Sequence, residues 1–400
     1  MRPVHAVILV CLLLFLPGYS SAQRGSLLHD GVERTYLLHL PPAYDGRSPY
    51  PLVIAMHGGF GSAENLQRMS KLSEAADTLN FVVVYPEGVA AAFGIRTWNA
   101  GGCCGPAVRN NVDDVGFIAA LIDTLKASLN LDLRRVYATG MSNGGMMAYR
   151  LACELSDRIA AIAPVAATLA AERCEPARPV PIIHFHSFLD ENVPYQGGVG
   201  SGVSGFYNPP LDSVFAVWAE LNACEVGPDT LRNDADLLWL QWNACQDSAE
   251  LQLYLTHDGG HSWPGGRKVA RPGADPPSQV IDANALMWDF FQAHTLGLPT
   301  SVGRRAQPEA FELQQNFPNP FNPTTVIRFR LAETASVNLA VYDLKGRMVT
   351  VLLEGLLPAG SHAVTWDGRT GRGQAVAAGV YFYRLQAGAR SLTRKLVLLR

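Results

Sequence analysis

Charge is scarce in this 400-residue chain: Asp, Glu, Lys and Arg together make up 17 %, and the net charge is −3. So even a balance gives no reason to expect nucleic acid as a partner. Membrane-spanning stretches are also lacking. The apolar run from Ala6 to Leu16 has eleven residues where about 20 are needed, and no other segment qualifies. Metal-binding spacings are missing too, with no H-E-x-x-H and no C-x-x-C. His184 and His186, which alternate along a strand, therefore suggest core packing or a hydrogen bond rather than a metal pair, and no metal or cofactor is expected. Cysteine is sparse. One of the seven, Cys11, lies inside the apolar run, and Val10 before it argues against a lipid anchor.

What is present at the N-terminus is Arg2, the apolar run, Pro17-Gly18 and Ser20-Ser21-Ala22, which reads as a secretory leader over residues 1–22. In an exported chain the remaining six cysteines favour disulfides. Cys224 and Cys245 bracket a polar excursion between a helix and a strand, and closing that loop is worth about 3 kcal/mol. Cys153 with Cys174 is a second candidate pair. Cys103 and Cys104 are then left to bridge each other or to exchange partners with that pair.

The most informative stretch is Arg135-Val-Tyr-Ala-Thr-Gly140-Met-Ser142-Asn-Gly144-Gly145: an apolar strand, a serine between glycines, then a helical pattern. A G-x-S-x-G nucleophile elbow has this context, because the glycines let the chain turn sharply and leave the hydroxyl exposed at the strand end. An acid and a histidine should follow in that order. Pro181–His186 reads as a strand, and just past it comes Asp190, with its neighbour Glu191 as a rival. Leu251–Thr256 reads as another strand, followed by His257-Asp-Gly-Gly-His261; His261 is the candidate base. Upstream, Leu52–Met56 runs into His57-Gly58-Gly59-Phe60, a loop that supplies oxyanion donors in lipases and esterases. The Gly59 or Phe60 N–H would serve with that of Asn143, while His57 itself reads as structural.

Strands are also expected at Thr35–Leu40, Phe81–Tyr85 and Ile159–Val165, and helices at Ala63–Leu79, Asp114–Leu129, Asn143–Glu154, Ser213–Leu221 and Ile281–Thr295. This alternation implies an α/β fold, a mostly parallel sheet with helices on both faces, over residues 23–297, and the chain order of serine, acid and histidine at its strand ends is the one expected of an α/β-hydrolase. Trp98 and Trp263 flank the catalytic loops and either stack on an aromatic acyl group or a sugar or pack beneath those loops. Phe206 and Tyr207, in a Gly-rich segment, are further substrate-contact candidates or part of a plain surface connection. A linker composition covers 298–310. Residues 311–400 then read as short alternating strands without helical period, a small all-β sandwich with no catalytic set.

The motifs His57-Gly-Gly, Trp98-Asn99, Cys103-Cys104-Gly105, Val112-Asp113-Asp114-Val115-Gly116-Phe117, Gly140-Met-Ser-Asn-Gly144 and Gly260-His261-Ser-Trp-Pro-Gly-Gly266 resemble the extracellular esterase family that groups poly(3-hydroxybutyrate) depolymerases with feruloyl and acetylxylan esterases. One departure is His186-Ser-Phe188-Leu-Asp190, where that family typically has His-Gly-Thr-x-Asp. The resemblance implies a secreted or cell-surface serine esterase. Its substrate would be a feruloyl or acetyl ester of plant polysaccharide, with hydroxybutyrate polyester as the alternative and a peptidase of the same fold further off. Asn316-Phe-Pro-Asn-Pro-Phe-Asn-Pro, Trp366-Asp-Gly and Gly379-Val-Tyr resemble type IX secretion sorting domains and flagellar-hook-capping Ig-like modules, which implies the secretion machinery as a partner of residues 311–400.

Overall fold

In a computed structural model the chain divides into two compact units at Leu298/Pro299. The structure describes residues 22–91, 94–202, 204–268, 273–297, 311–316, 318–331, 334–358, 360–388 and 390–399; the expected leader, but for Ala22, and the linker 298–310 lie outside them.

The first unit opens with an antiparallel pair, β1 (Gln23–His29) and β2 (Val32–His39), followed by β3 (Tyr50–Met56) and β4 (Val82–Pro86). A two-residue hairpin, β5 (Val89–Ala90) and β6 (Arg96–Thr97), precedes β7 (Leu131–Met141), β8 (Ala161–Val165) and β9 (Ile182–Ser187). A second small hairpin, β10 (Gly198–Val199) and β11 (Tyr207–Asn208), leads to β12 (Asp229–Asn233), β13 (Leu237–Trp242) and β14 (Leu251–Thr256). Ten of these form one sheet in the order β1-β2-β4-β3-β7-β8-β9-β14-β13-β12. The run β4 to β14 is parallel, and antiparallel pairs flank it on both sides.

The central strands read as unbroken apolar runs because both faces are covered, as a parallel sheet requires. One face packs on α4 (Asp114–Ser128), α5 (Asn143–Glu154) and α6 (Leu211–Leu221), with Ile54, Val84, Ile162 and Leu253 pointing that way. The other packs on α1 (Ala63–Ser70), α2 (Leu72–Leu79) and α7 (Ala283–Ala293), with Val53, Val83, Ile183 and Tyr254. A short α3 (Gly105–Arg109) precedes α4.

Two expectations need correction. The helix expected over 63–79 is two helices, because Lys71 takes a left-handed φ of 59° and its Nζ donates to the Gly265 carbonyl at 3.2 Å. The polar excursion between Cys224 and Cys245 contains the hairpin β12–β13, which extends the sheet by two strands. β12 is exposed at every residue, so no alternation marked it. Cysteines 224 and 245 are bonded, as are 153 and 174, and 103 with 104.

The second unit is a two-sheet all-β sandwich. One sheet orders β15 (Glu312–Leu313), β16 (Thr325–Leu331) and β19 (Gly360–Trp366); the other orders β18 (Met348–Leu357), β17 (Ala335–Tyr342), β20 (Gly379–Ala387) and β21 (Arg390–Leu398). All its ladders are antiparallel, and Ile327, Phe329, Leu339, Trp366 and Tyr383 form its core.

Candidate active site

Parallel α/β sheets place ligands beyond the carboxyl ends of their strands. At the end of β7 the chain turns through Ser142, whose φ of 57° and ψ of −124° lie outside the regions ordinary side chains favour. Such a conformation costs about 1–3 kcal/mol and persists only where the surroundings enforce it. They do so here. Ser142 N–H donates to the Val165 carbonyl at 2.9 Å, and its own carbonyl accepts from Met146 N–H at 2.9 Å. The close approach demands glycine on both sides: a Cβ on Gly140 would lie 2.6 Å from the Met56 carbonyl oxygen, and one on Gly144 2.6 Å from that of His57.

Asp190 follows β9, with its side chain out of solvent. Its Oδ2 accepts the His261 Nδ1–H at 2.8 Å, which leaves Nε2 as the imidazole's free acceptor. Its Oδ1 accepts the N–H groups of Asn192 at 2.9 Å and Val193 at 2.8 Å. Burial alone would raise this carboxyl, but the His261 charge and hydrogen bond and the Val193 amide outweigh it and hold the group below the usual aspartate value. Glu191 is exposed and makes no bond to His261. His261 is fixed by a residue that sequence reasoning missed: its N–H donates to Asp275 Oδ2 at 2.7 Å. Ser142 and His261 line one cavity of about 1050 Å³, together with the Gly58–Gly61 loop, Met141, Met146 and Val193.

Of the two loop amides expected as oxyanion donors, Phe60 is corrected: its N–H is committed to the Arg96 carbonyl at 2.8 Å. Among the described residues the Gly59 and Asn143 N–H groups have no such acceptor. They are also neighbours, since a Cβ on Gly59 would lie 3.9 Å from that of Asn143. Asn143 is held by its own side chain, whose Oδ1 accepts Trp98 N–H at 2.7 Å and whose Nδ2 donates to the Trp98 carbonyl at 3.0 Å. The next residue, Asn99, donates its N–H to Asp114 Oδ2 at 2.7 Å, and Asp114 Oδ1 pairs with Arg34 at 2.7 Å. This ion pair is almost wholly buried, so loss of either partner should cost about 3–5 kcal/mol. The motifs Trp98-Asn99 and Val112-Asp113-Asp114 are therefore scaffolding for Asn143.

The aromatic candidates do not form a cleft. Trp98 and Trp263 are fully buried; their indole N–H groups donate to the His57 carbonyl at 2.9 Å and to Asn284 Oδ1 at 3.0 Å. Packing beneath the loops consumes both faces of each ring, so neither can stack on a substrate. Phe206 packs against Cys103, Met146 and Val193 rather than lining the cavity, and Tyr207 points to solvent from β11. Phe188 stacks on His257 at 4.6 Å and likewise stays out of the cavity. His57 is buried and neutral: Nδ1–H donates to the Gly58 carbonyl at 2.7 Å, Nε2 accepts Gly88 N–H at 3.1 Å, and burial lowers its pKa to about 4.

His184 and His186 form a one-way hydrogen-bond chain. Tyr149 O–H, on α5, donates to His184 Nδ1 at 2.8 Å; His184 Nε2–H donates to His186 Nδ1 at 3.2 Å; His186 Nε2–H donates to the Val193 carbonyl at 2.7 Å. The carbonyl at the end sets every donor's direction, and burial keeps both imidazoles below the ordinary histidine range, hence neutral. The chain joins the serine-bearing helix to the turn that cradles Asp190. We predict that His186→Phe lowers kcat about 10–100-fold with little change in KM, as expected for a displaced acid, whereas His186→Gln, which keeps an N–H donor, restores most of the loss. Equal kcat for wild type and His186→Phe would remove any positioning role. Among the described residues the one cluster with metal-ligand chemistry is His29, Asp30 and Asp113. It lies outside the cavity, and Asp113 is already occupied capping α4.

The profile of the esterase PHB depolymerase family matches residues 34–175, and that of the FlgD Ig-like domain matches 318–391. NocK of Nocardia uniformis subsp. tsuyamanensis, a candidate esterase, is 32 % identical over 272 residues, which cover 60 % of this chain and 74 % of that protein. The chain belongs to the esterase PHB depolymerase family. Other proteins similar to it are feruloyl esterase B of Piromyces equi, 32 % identical over 241 residues (57 % of this chain, 42 % of that one), and the bifunctional acetylxylan esterase/xylanase XynS20E of Neocallimastix patriciarum, 33 % identical over 252 residues (63 % and 32 %). The chain thus spans less than half the length of these two relatives. The PHB depolymerase profile takes in Ser142 and the Gly58–Gly61 loop but stops before Asp190 and His261, whose pairing rests on the geometry above.

Proposed function

We propose that this family member is a secreted serine carboxylic-ester hydrolase acting through Ser142, His261 and Asp190. The single observation that carries the reading is the pairing of a strained serine at a strand–helix turn with a histidine oriented by a buried carboxylate, the serine and histidine lining one cavity. His261 Nε2 takes the Ser142 proton as the hydroxyl attacks the ester carbonyl, while Asp190 holds the imidazole tautomer and stabilises the imidazolium. The Gly59 and Asn143 amides receive the oxyanion, each such donor being worth about 100–1000-fold in rate. His261 then protonates the leaving alcohol, and water attacks the acyl-enzyme by the reverse proton path.

Feruloyl or acetyl esters of plant polysaccharide are the substrates we favour, because relatives bearing those names match 57 % and 63 % of this chain and the cavity has the size of one acyl group with a few sugars. The family profile's own description makes hydroxybutyrate polyester the alternative. A panel of methyl ferulate, acetylated xylan, polyhydroxybutyrate film and a peptide anilide tests this. Release of ferulate or acetate with little clearing of the film is expected; the opposite pattern would move the assignment to the polyester, and anilide cleavage alone would make the protein a peptidase.

Export is proposed from the expected leader, the three disulfides and the Ig-like unit. Deleting residues 311–400 in the native host should abolish export or surface attachment while leaving turnover of a soluble ester within about twofold, since every proposed catalytic group lies in the other unit. Normal export of the truncated chain would rule out a sorting role.

A further inference from the structure

We infer that the cleft is built for esters carried on a polyanionic chain, such as an acylated polysaccharide whose sugars bear carboxylates. The inference rests on the hydrolase reading and narrows its substrate class. Over the whole chain acidic residues outnumber basic ones, 35 to 32, yet the cavity wall reverses the balance. Arg68, Arg109, Arg267 and Lys268 line it against one carboxylate, Asp275, which is already bonded to the His261 N–H at 2.7 Å. Arg267 is neutralised by Glu74 at 3.0 Å. Among the described residues Arg68 meets only the neutral amide oxygen of Asn65, at 3.3 Å, and Arg109 and Lys268 have no carboxylate partner.

These cations come from α1, α3 and the loop after Gly266, so no local sequence run accounts for their convergence. Like charges gathered in one concavity repel one another, and that repulsion is relieved when an anion enters. A cleft lined by one sign also concentrates ligands of the opposite sign about ten-fold or more at low salt. A neutral xylan gains nothing from this field, and a polyester, with one carboxylate at a chain end, gains little. A uronate-bearing chain threaded past the serine presents repeated carboxylates to Arg68, Arg109 and Lys268 while its ester sits at Ser142.

The test compares acetylated xylo-oligosaccharides with and without glucuronate branches, matched in acetyl content. At about 20 mM salt the branched substrate should have about ten-fold higher kcat/KM, and the preference should fade at about 500 mM, where the Debye length drops to a few ångströms. Arg109→Glu with Lys268→Glu should reverse the low-salt preference, and Arg109→Gln alone, a milder change for the fold, should reduce it about three-fold. Affinity of the Ser142→Ala protein for the two oligosaccharides gives the same comparison without turnover. Equal handling of both at low salt, in turnover and in binding, overturns the inference and leaves the hydrolase reading intact. Preferential binding of the branched chain by a protein that hydrolyses no ester would sink the hydrolase reading and keep the anion site.

Discussion

Replacing Ser142 by alanine is expected to leave a folded protein whose kcat on a soluble ester falls at least about a thousand-fold, because triad members act as a unit and the residue left behind cannot form an acyl-enzyme. An organophosphate should label Ser142 in the wild type and nothing in the variant. The substitution removes a hydroxyl from a half-exposed position, and the backbone there is enforced by the Val165 and Met146 hydrogen bonds rather than by the side chain. The melting temperature should therefore change little. Retention of a tenth of the activity, or labelling at another residue, would falsify the assignment.

Asp190→Asn should be nearly as damaging, lowering kcat about 10⁴-fold, because an amide in place of Oδ2 favours the wrong imidazole tautomer. Glu191→Gln should stay within about twofold, as its side chain faces solvent. The two variants also differ in acid stability. The Asp190 carboxyl is held below its ordinary value, so its contribution to stability is present above the usual carboxylate range and lost as pH falls through the lowered value. In Asp190→Asn that part of the acid dependence should vanish from unfolding curves. A larger loss of activity from Glu191→Gln than from Asp190→Asn would transfer the role.

The strand ends were legible because the chemistry requires a serine, an acid and a histidine at the carboxyl edges of a sheet in chain order, and the apolar runs of β7, β9 and β14 mark those edges. Other features have no such signature. The helical period runs unbroken through Lys71, and only the tertiary bond to the Gly265 carbonyl shows why the chain breaks there. Sequence places Trp98 and Trp263 beside the proposed catalytic loops but does not say which side of a loop an indole takes, and both are buried. The Phe60 amide was lost to Arg96, a bond between residues 36 apart with no local cue. The same holds for Asp275, whose bond to the His261 backbone joins residues 14 apart.

The latch between Asn143 and the Trp98 backbone bears on how this scaffold can be diversified. In the proposed mechanism Asn143 offers its amide to the substrate oxygen, and its side chain is anchored through Trp98 and Asn99 to the Arg34–Asp114 pair. Mutational libraries that include positions 34, 98, 99, 114 or 143 should yield mostly inactive clones even though none but Asn143 touches the cavity. Libraries confined to the cavity-facing side chains of α1, α3 and the loop after Gly266 should change which ester is accepted while the proposed oxyanion amides keep their place. Natural diversification of the family would be expected to follow the same division, with selectivity drifting on one wall of the cleft while the opposite wall stays fixed.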